Sequence, residues 1–397
     1  MKQQIEKLYA ISCKAEKVII GLMSGTSLDG LDIAVCTCTN AGPATKLKVT
    51  HFTTVAYNTQ FKNAILSVFS KKEVNLEQVC LLNKWVAVTH AEMINTALKT
   101  WGIAKEEIDL IASHGQTIYH APLLLHGQDR YGNATLQIGD GDQLAVRTGI
   151  ITLSDFRQKH IAVGGEGAPL AVYGDYLLFS KPNENRIMLN IGGIANFTFL
   201  PGTLDVAKVF STDTGPGNGM MDMLVQRELS GIHFDIDGKI AARGNIQPTL
   251  LKALKDNSFF LKAFPKTIGP ELFNLHYLEN AKKMSSTENI SLEDTLATLN
   301  RFTAETIIDA IHTCTMQNTY NIYASGGGMH NPVLMRHLKE GLKHCTFKNI
   351  NDLHVNPDAK EAVLFAVLAN ECISGERLSS GNSMMPSVSM GKISFPL

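Results

Sequence analysis

Residues 18–35 read VIIGLMSGTSLDGLDIAV: an apolar run at Val18–Ile20, a small polar turn, and a second apolar run at Leu31–Val35. β-Branched runs parted by Gly, Ser and Asp read as strand, tight turn, strand. The turn residues Ser24, Gly25, Thr26 and Ser27 can offer successive backbone N–H groups and hydroxyls to an anion, with glycine letting the backbone come close. This is phosphate chemistry on a hairpin, distinct from GxxxxGK[ST] leading into a helix. An ordinary glycine-rich turn fits the same letters, so the rest of the chain decides.

Outward from the hairpin, residues 47–57 alternate as a third strand, while 60–69 and 75–101 have helical spacing. A short apolar strand at 108–113 runs into His114-Gly115-Gln116-Thr117. The order β-β-β-α-β opens a ribonuclease-H-like lobe. A polar loop at 120–134, a strand at 135–138, a helix near 143–148 and a strand at 150–153 follow, the last ending in Ser154-Asp155-Phe156-Arg157. The stretch GGEGAP at 164–169 is too glycine-rich for a strand or helix interior and is placed as a hinge. From Arg186 to Ser211 a second strand, Gly-Gly turn and strand echo the first hairpin in architecture, though not in letters. Helices are predicted at 220–229, 249–255, 293–314, 331–343 and 359–372, and a strand at 322–324 precedes Gly326-Gly327-Gly328. The expected fold class is α/β, with two ribonuclease-H-like lobes and an inter-lobe cleft. Residues 1–158 form the N-terminal lobe, completed by 376–397, and 159–375 form the C-terminal lobe.

A chain of 397 residues exceeds the roughly 250–300 at which single cores stop growing. A formal net charge of −1 gives no electrostatic case for nucleic acid or a membrane surface. The seven cysteines are scattered, and Cys36-Thr37-Cys38 has no His partner, so free thiols in a reducing compartment are expected. The N-terminus lacks a signal-peptide core, and no apolar run reaches about 18 residues. The expected location is the cytoplasm.

Four glycine turns stand at the ends of predicted strands, at 24–30, 192–193, 215–217 and 326–328, where α/β proteins bind nucleotides. Asp29 and Asp32 lie three apart at the first turn. Either suits the Mg²⁺ that bridges phosphates, Asp29 preferentially, and either also suits turn capping. Asp213, between a strand and Gly-Pro-Gly, suits a general base held on a rigid loop, and equally an Asx turn. Glu361 opens the helix over 359–372, where a carboxylate is also simply favourable to the helix dipole.

The motifs MSGTSLDGLD, SHGQT, SDFR, GAPL, LNIGG, DTGPGN and GGG, in that order between about residues 18 and 375, resemble those of the 1,6-anhydro-N-acetylmuramic acid kinases, a branch of the actin/hexokinase ATPase superfamily. The resemblance implies an ATP- and Mg²⁺-dependent phosphotransferase, typically homodimeric, in peptidoglycan recycling. Water adds at the anomeric carbon, the 1,6-anhydro bridge opens, and O6 takes the γ-phosphoryl, giving N-acetylmuramic acid 6-phosphate. By the same resemblance Ser24, Gly25, Thr26, Ser27 and Asp29, with Asn190, Gly192 and Gly193, meet the phosphates and metal. Gly326, Gly327 and Gly328 border the adenosine. Asp213 activates the water and Glu361 assists beside the anomeric centre. His114, Gln116, Asp155, Arg157 and Lys159 suit the sugar, since a lactyl carboxylate needs Arg or Lys while hydroxyls and an amide need neutral partners.

The chain departs from the family pattern at Gln158-Lys159-His160, at Glu166 and Val172 in GGEGAPLAV, and at PKTIGPE over 265–271. Glu166 adds negative charge near the expected sugar site. A kinase for another 1,6-anhydrosugar, such as levoglucosan, is therefore the alternative substrate reading. A nucleotide-gated sugar sensor without turnover is the alternative class, and it predicts loss of the base or of the phosphate turn, all of which are present.

Overall fold

The opening hairpin forms where the alternation puts it. Strands β1 (Glu16–Ser24) and β2 (Gly30–Thr39) pair antiparallel, with Ser24 opposite Leu31. The computed structural model describes residues 1–268, 272–314, 319–353, 357–375 and 385–397. The third strand, β3 (Lys46–Ala56), pairs antiparallel with β2. The helix Leu76–Trp101 then crosses back, opened by the Asn75 side chain and closed by left-handed Gly102. That crossover lets β4 (Leu110–Ala121) lie parallel to β1. β5 (Ala134–Ile138) pairs antiparallel with β4, and β6 (Thr152–Ser154) pairs parallel with it. A last strand, Lys392–Ser394, closes the edge against β6.

The second strand group repeats this plan. β7 (Arg186–Ile191), β8 (Ile194–Leu200) and β9 (Phe210–Pro216) form an antiparallel meander. β10 (Asn321–Ser325) and β11 (Thr346–Asn349) then add in parallel on the other side of β7. The second sheet has the spatial order third, second, first, fourth, fifth, and the first sheet follows the same path with β6 in the fifth place and β5 off it, paired to β4; this is the ribonuclease-H-like arrangement. The echo between the two hairpins is an architectural duplication.

The chain divides into two units, residues 1–180 with 354–397, and residues 181–353. The boundary expected near 158 is corrected: 159–180 and 357–375 belong to the first unit, and GGEGAP lies inside it. The cause is packing. A Cβ on Gly21 of β1 would stand 1.9 Å from the Ala362 carbonyl, and one on Gly174 would stand 2.6 Å from Leu364. The apolar helix Lys360–Ser374 is therefore pressed onto β1, with the helix Ala171–Phe179 against it. The strand at 392–394 lies against β6 in the first unit; residues 376–384 lie outside the described residues. The first unit's core is built on Ile20, Leu31, Ile33, Phe61, Val86 and Ile111. The second unit has two clusters, around Ile187–Ile322 and around Met220–Phe302.

Candidate active site

In the first unit the hairpin turn is anchored by one apolar residue. Leu28 is buried with φ +57°, while Thr26, Ser27 and Asp29 are exposed. The Leu28 N–H donates to the Gly25 carbonyl at 3.3 Å, closing the turn. Burying Leu28 thus leaves the polar residues outside, around backbone that can approach an anion. Ser24 behaves differently. It is buried, and its Oγ lies 2.7 Å from Tyr57 Oη and donates to Gln116 Oε1.

The SHGQT residues lie inside β4 rather than beyond its end. His114 and Gln116 are both buried. Arg157 Nε donates to His114 Nε2 at 3.0 Å, and Arg157 Nη1 donates to the Gly167 carbonyl at 2.6 Å. Burial and the Arg157 charge push His114 down to about 3, so it is neutral. Burial also lowers Arg157 to about 10, with Glu361 opposing the shift; it stays cationic. Glu361 is an exposed residue, though protein crowds its carboxyl. Partial burial and then Asp32 raise its carboxyl, while Arg157 and Lys360 pull it back. Asp32 accepts from Thr54 Oγ1 at 2.6 Å and is itself raised by burial. Asp29 and Asp32 are the carboxylates at the turn, and they fit Mg²⁺, which needs one or two carboxylates beside phosphate oxygens and water. Among the described residues there is no cluster of three or more His, Cys, Asp or Glu side chains arranged for a metal.

Other sugar-side candidates have structural partners. Asp155, at φ +53°, accepts from Lys392 Nζ at 2.9 Å, tying the helix Phe156–Ala162 to the C-terminal strand. Lys159 is exposed on that helix. His160, one of the departures, is buried, and its Nδ1 accepts from the Gly167 N–H at 2.9 Å. It is a packing residue that seats the 164–169 segment. Glu166 is exposed, near enough to His120 to oppose the lowering of that imidazole by burial and Arg157.

In the second unit three glycine segments converge. The N–H groups of Gly217 and Asn218 donate to the carbonyls of Gly193 and Gly192 at 2.9 and 2.7 Å. A Cβ on Gly217 would stand 2.1 Å from the Gly192 oxygen. Gly326, at φ +81°, sits where a Cβ would be 2.6 Å from the Ile191 carbonyl, and Ser325 Oγ lies 3.5 Å from Asn190 Oδ1. Gly193 and Gly327 are exposed. Only backbone can pack this closely, and the product is a rim of glycine backbone open to a ligand.

Asp213 lies within β9 and not after it. Its N–H donates to the Lys266 carbonyl at 2.9 Å, and its Oδ2 accepts from the Ile268 N–H at 2.8 Å. Lys266 is buried among Phe259, Phe260 and Phe264, so the segment gripping Asp213 is itself fixed. Burial pushes the Asp213 carboxyl up to about 6, against the Ile268 hydrogen bond. The rest of PKTIGPE, 269–271, lies outside the described residues. Asp222, on the helix Gly219–Glu228, is also pushed up to about 6 by burial. The sequence reading passed over it, although GPGN followed four residues on by Asp places it one turn up from the glycine rim.

The family model for anhydro-N-acetylmuramic acid kinase matches residues 17–390. A protein of that name from Pseudoalteromonas atlantica is 54% identical over the full length of both chains. Its namesake from Pseudoalteromonas translucida is likewise 54% identical over both full lengths. A further one, from Caldanaerobacter subterraneus subsp. tengcongensis, is 36% identical over 98% of this chain and all of its own. Among the described residues no helix is long and apolar enough to cross a membrane.

Proposed function

This chain belongs to the anhydro-N-acetylmuramic acid kinase family, and we propose that it uses ATP and Mg²⁺ to open 1,6-anhydro-N-acetylmuramic acid and phosphorylate its O6. A water oxygen bonds to C1 as the C1–O6 bond breaks. The released O6 electron pair attacks the γ-phosphorus, the bond from that phosphorus to the β,γ-bridging oxygen breaks, and ADP leaves. The proton lost by water goes to Asp213. Products are N-acetylmuramic acid 6-phosphate and ADP.

The observation that carries this reading is the state of Asp213. A base works best with a pKa near the operating pH, and this carboxyl is raised to about 6 and held by the Ile268 N–H. Phosphoryl transfer otherwise asks for positioning and neutralisation of charge. Thr26, Ser27 and Gly25 are assigned to phosphate, Asp29 to Mg²⁺, which would supply charge neutralisation when bound, and the glycine rim of the second unit to the nucleotide. Glu361 and Arg157 are assigned to the sugar, Arg157 to its lactyl carboxylate. Peptidoglycan recycling in the cytoplasm, by a homodimer, is the setting this reading implies.

Release of ADP from MgATP, assayed with 1,6-anhydro-N-acetylmuramic acid and with levoglucosan side by side, tests it. Turnover on the muramic sugar is expected. Turnover on levoglucosan alone would keep the chemistry and overturn the substrate, with Glu166 beside His120 the first place to look. Binding of ATP with turnover on neither sugar would favour a sensor.

A further inference from the structure

Beneath the hairpin turn lies a chain of buried polar groups whose protons can be arranged in only one way. Gln116 Nε2 faces two carbonyls, Gly25 at 3.4 Å and Thr117 at 3.2 Å. Those are acceptors, so the amide nitrogen must point at them and Oε1 must point at Ser24. Ser24 has one hydroxyl proton, and Oε1 takes it. Tyr57 Oη, 2.7 Å from Ser24 Oγ, must then be the donor in that contact, since otherwise two lone pairs would face each other. With its own proton spent, Tyr57 accepts from His90 Nε2 at 2.8 Å. His90 is fully buried and pushed down to about 3 by that burial, so it is neutral and carries its hydrogen on Nε2.

The order of donation is therefore His90 to Tyr57, Tyr57 to Ser24, Ser24 to Gln116, and Gln116 to the turn at Gly25. Tyr57 also reaches the far side of the turn, where its backbone N–H donates to the Asp29 carbonyl at 3.1 Å. One residue thus grips both ends of 24–29. Its ring is fixed against Phe61 at 4.3 Å between centroids and stacked on His90 at 6.0 Å. A fully satisfied buried network of this kind holds a single geometry, because an unpaired member would be costly.

We propose that His90 and Tyr57 are positioning residues for the phosphate turn, and that Ser24 serves as a link in this chain and not as a phosphate donor. The hydroxyl of Ser24 has no proton left to offer. The donors to phosphate are the exposed hydroxyls of Thr26 and Ser27 and the turn's backbone, aimed by the chain from below. The assignment rests on the kinase reading given above, and it adds two residues that carry no motif, one on the helix Leu76–Trp101 and one just after β3.

Tyr57→Phe keeps the ring and removes the hydroxyl, and it should raise KM for ATP about tenfold while KM for the sugar stays within twofold. His90→Gln keeps a side-chain N–H donor and should remain within about threefold of the parent, whereas His90→Leu should match Tyr57→Phe. The Tyr57→Phe/His90→Leu pair should be no worse than either alone, because the chain is broken once. Long-range ¹⁵N NMR of the parent should show His90 neutral with hydrogen on Nε2. An Nδ1-hydrogen tautomer, or an ATP KM within twofold for both Tyr57→Phe and His90→Leu, would overturn the proposal. Failure of the kinase reading itself would show as a parent enzyme inactive on both sugars. In that event the tautomer, and the affinity of the same variants for ATP measured by calorimetry, still decide the role of the chain.

Discussion

Arg157 Nε donates to His114 Nε2 at 3.0 Å, so a fully buried, neutral imidazole aims a cation. The second guanidinium contact, to the Gly167 carbonyl, completes a fork that an ammonium cannot copy. His114→Phe fills the space and removes the acceptor. It should raise KM for the anionic sugar by about tenfold or more and leave KM for ATP near its parent value. Arg157→Lys should behave likewise despite keeping the charge. Steady-state kinetics with each substrate varied in turn checks both.

Asp213→Asn separates activity from stability. Loss of the proposed base should lower kcat by about 10²–10⁴-fold. Yet the carboxylate is ionised in a buried place at neutral pH, at a cost to the folded state of up to about 3 kcal/mol for a pKa moved from 3.8 to about 6. The variant should melt higher than the parent at pH 7.5 while turning over far less, as calorimetry and ADP release would measure. A variant both slow and less stable would contradict the burial argument.

The same shift sets two pH dependences. In turnover, the proposed base is lost on protonation, so kcat should fall about tenfold per unit below pH 6. In stability, the folded state holds a proton that the unfolded chain has released between pH 3.8 and about 6. The Asp213 contribution therefore decreases as pH rises through that window and is level above it. Melting curves of parent and Asp213→Asn should converge towards pH 4 and separate towards pH 7.

Two glycines of the second unit should respond differently to alanine. At Gly217 a Cβ would meet the Gly192 carbonyl at 2.1 Å, whereas at Gly193 nothing lies within 4 Å. Gly217→Ala should part the loop from the turn and lower the melting temperature by several degrees, corresponding to about 2 kcal/mol or more. Gly193→Ala should melt like the parent and weaken ATP alone. Thermal shift with and without nucleotide distinguishes them.

Much of the fold was legible because it is carried by short-range signals. The alternation in 18–35 and 47–57 and the capped 75–101 segment give the first meander and its crossover, and the helix expected at 293–314 is found at Leu292–Cys314. The helix at 359–372 was also legible, but not its home. Its attachment to β1 depends on Gly21 and Ala362 touching across more than 300 residues, and no local pattern encodes that. GGEGAP looked like a hinge because glycines mark both hinges and tight packing; here a Cβ on Gly165 would stand 2.2 Å from the His160 ring. DTGPGN drew attention to Asp213 as a candidate, whereas His90 and Tyr57 belong to no motif, and their link to Ser24 and Gln116 is visible only in the folded chain.

The second unit is one unbroken stretch of chain, whereas the first is finished only by residues beyond 353. On the ribosome, β1 with its bare Gly21 must therefore wait through the whole of the second unit for the helix that covers it. The order of maturation is inverted relative to the order of synthesis: the later-made unit can be complete while β1, made first, still lacks the helix that covers it. A nascent chain stopped anywhere before Lys360 would expose that face of β1, which makes it the surface a chaperone has most reason to hold.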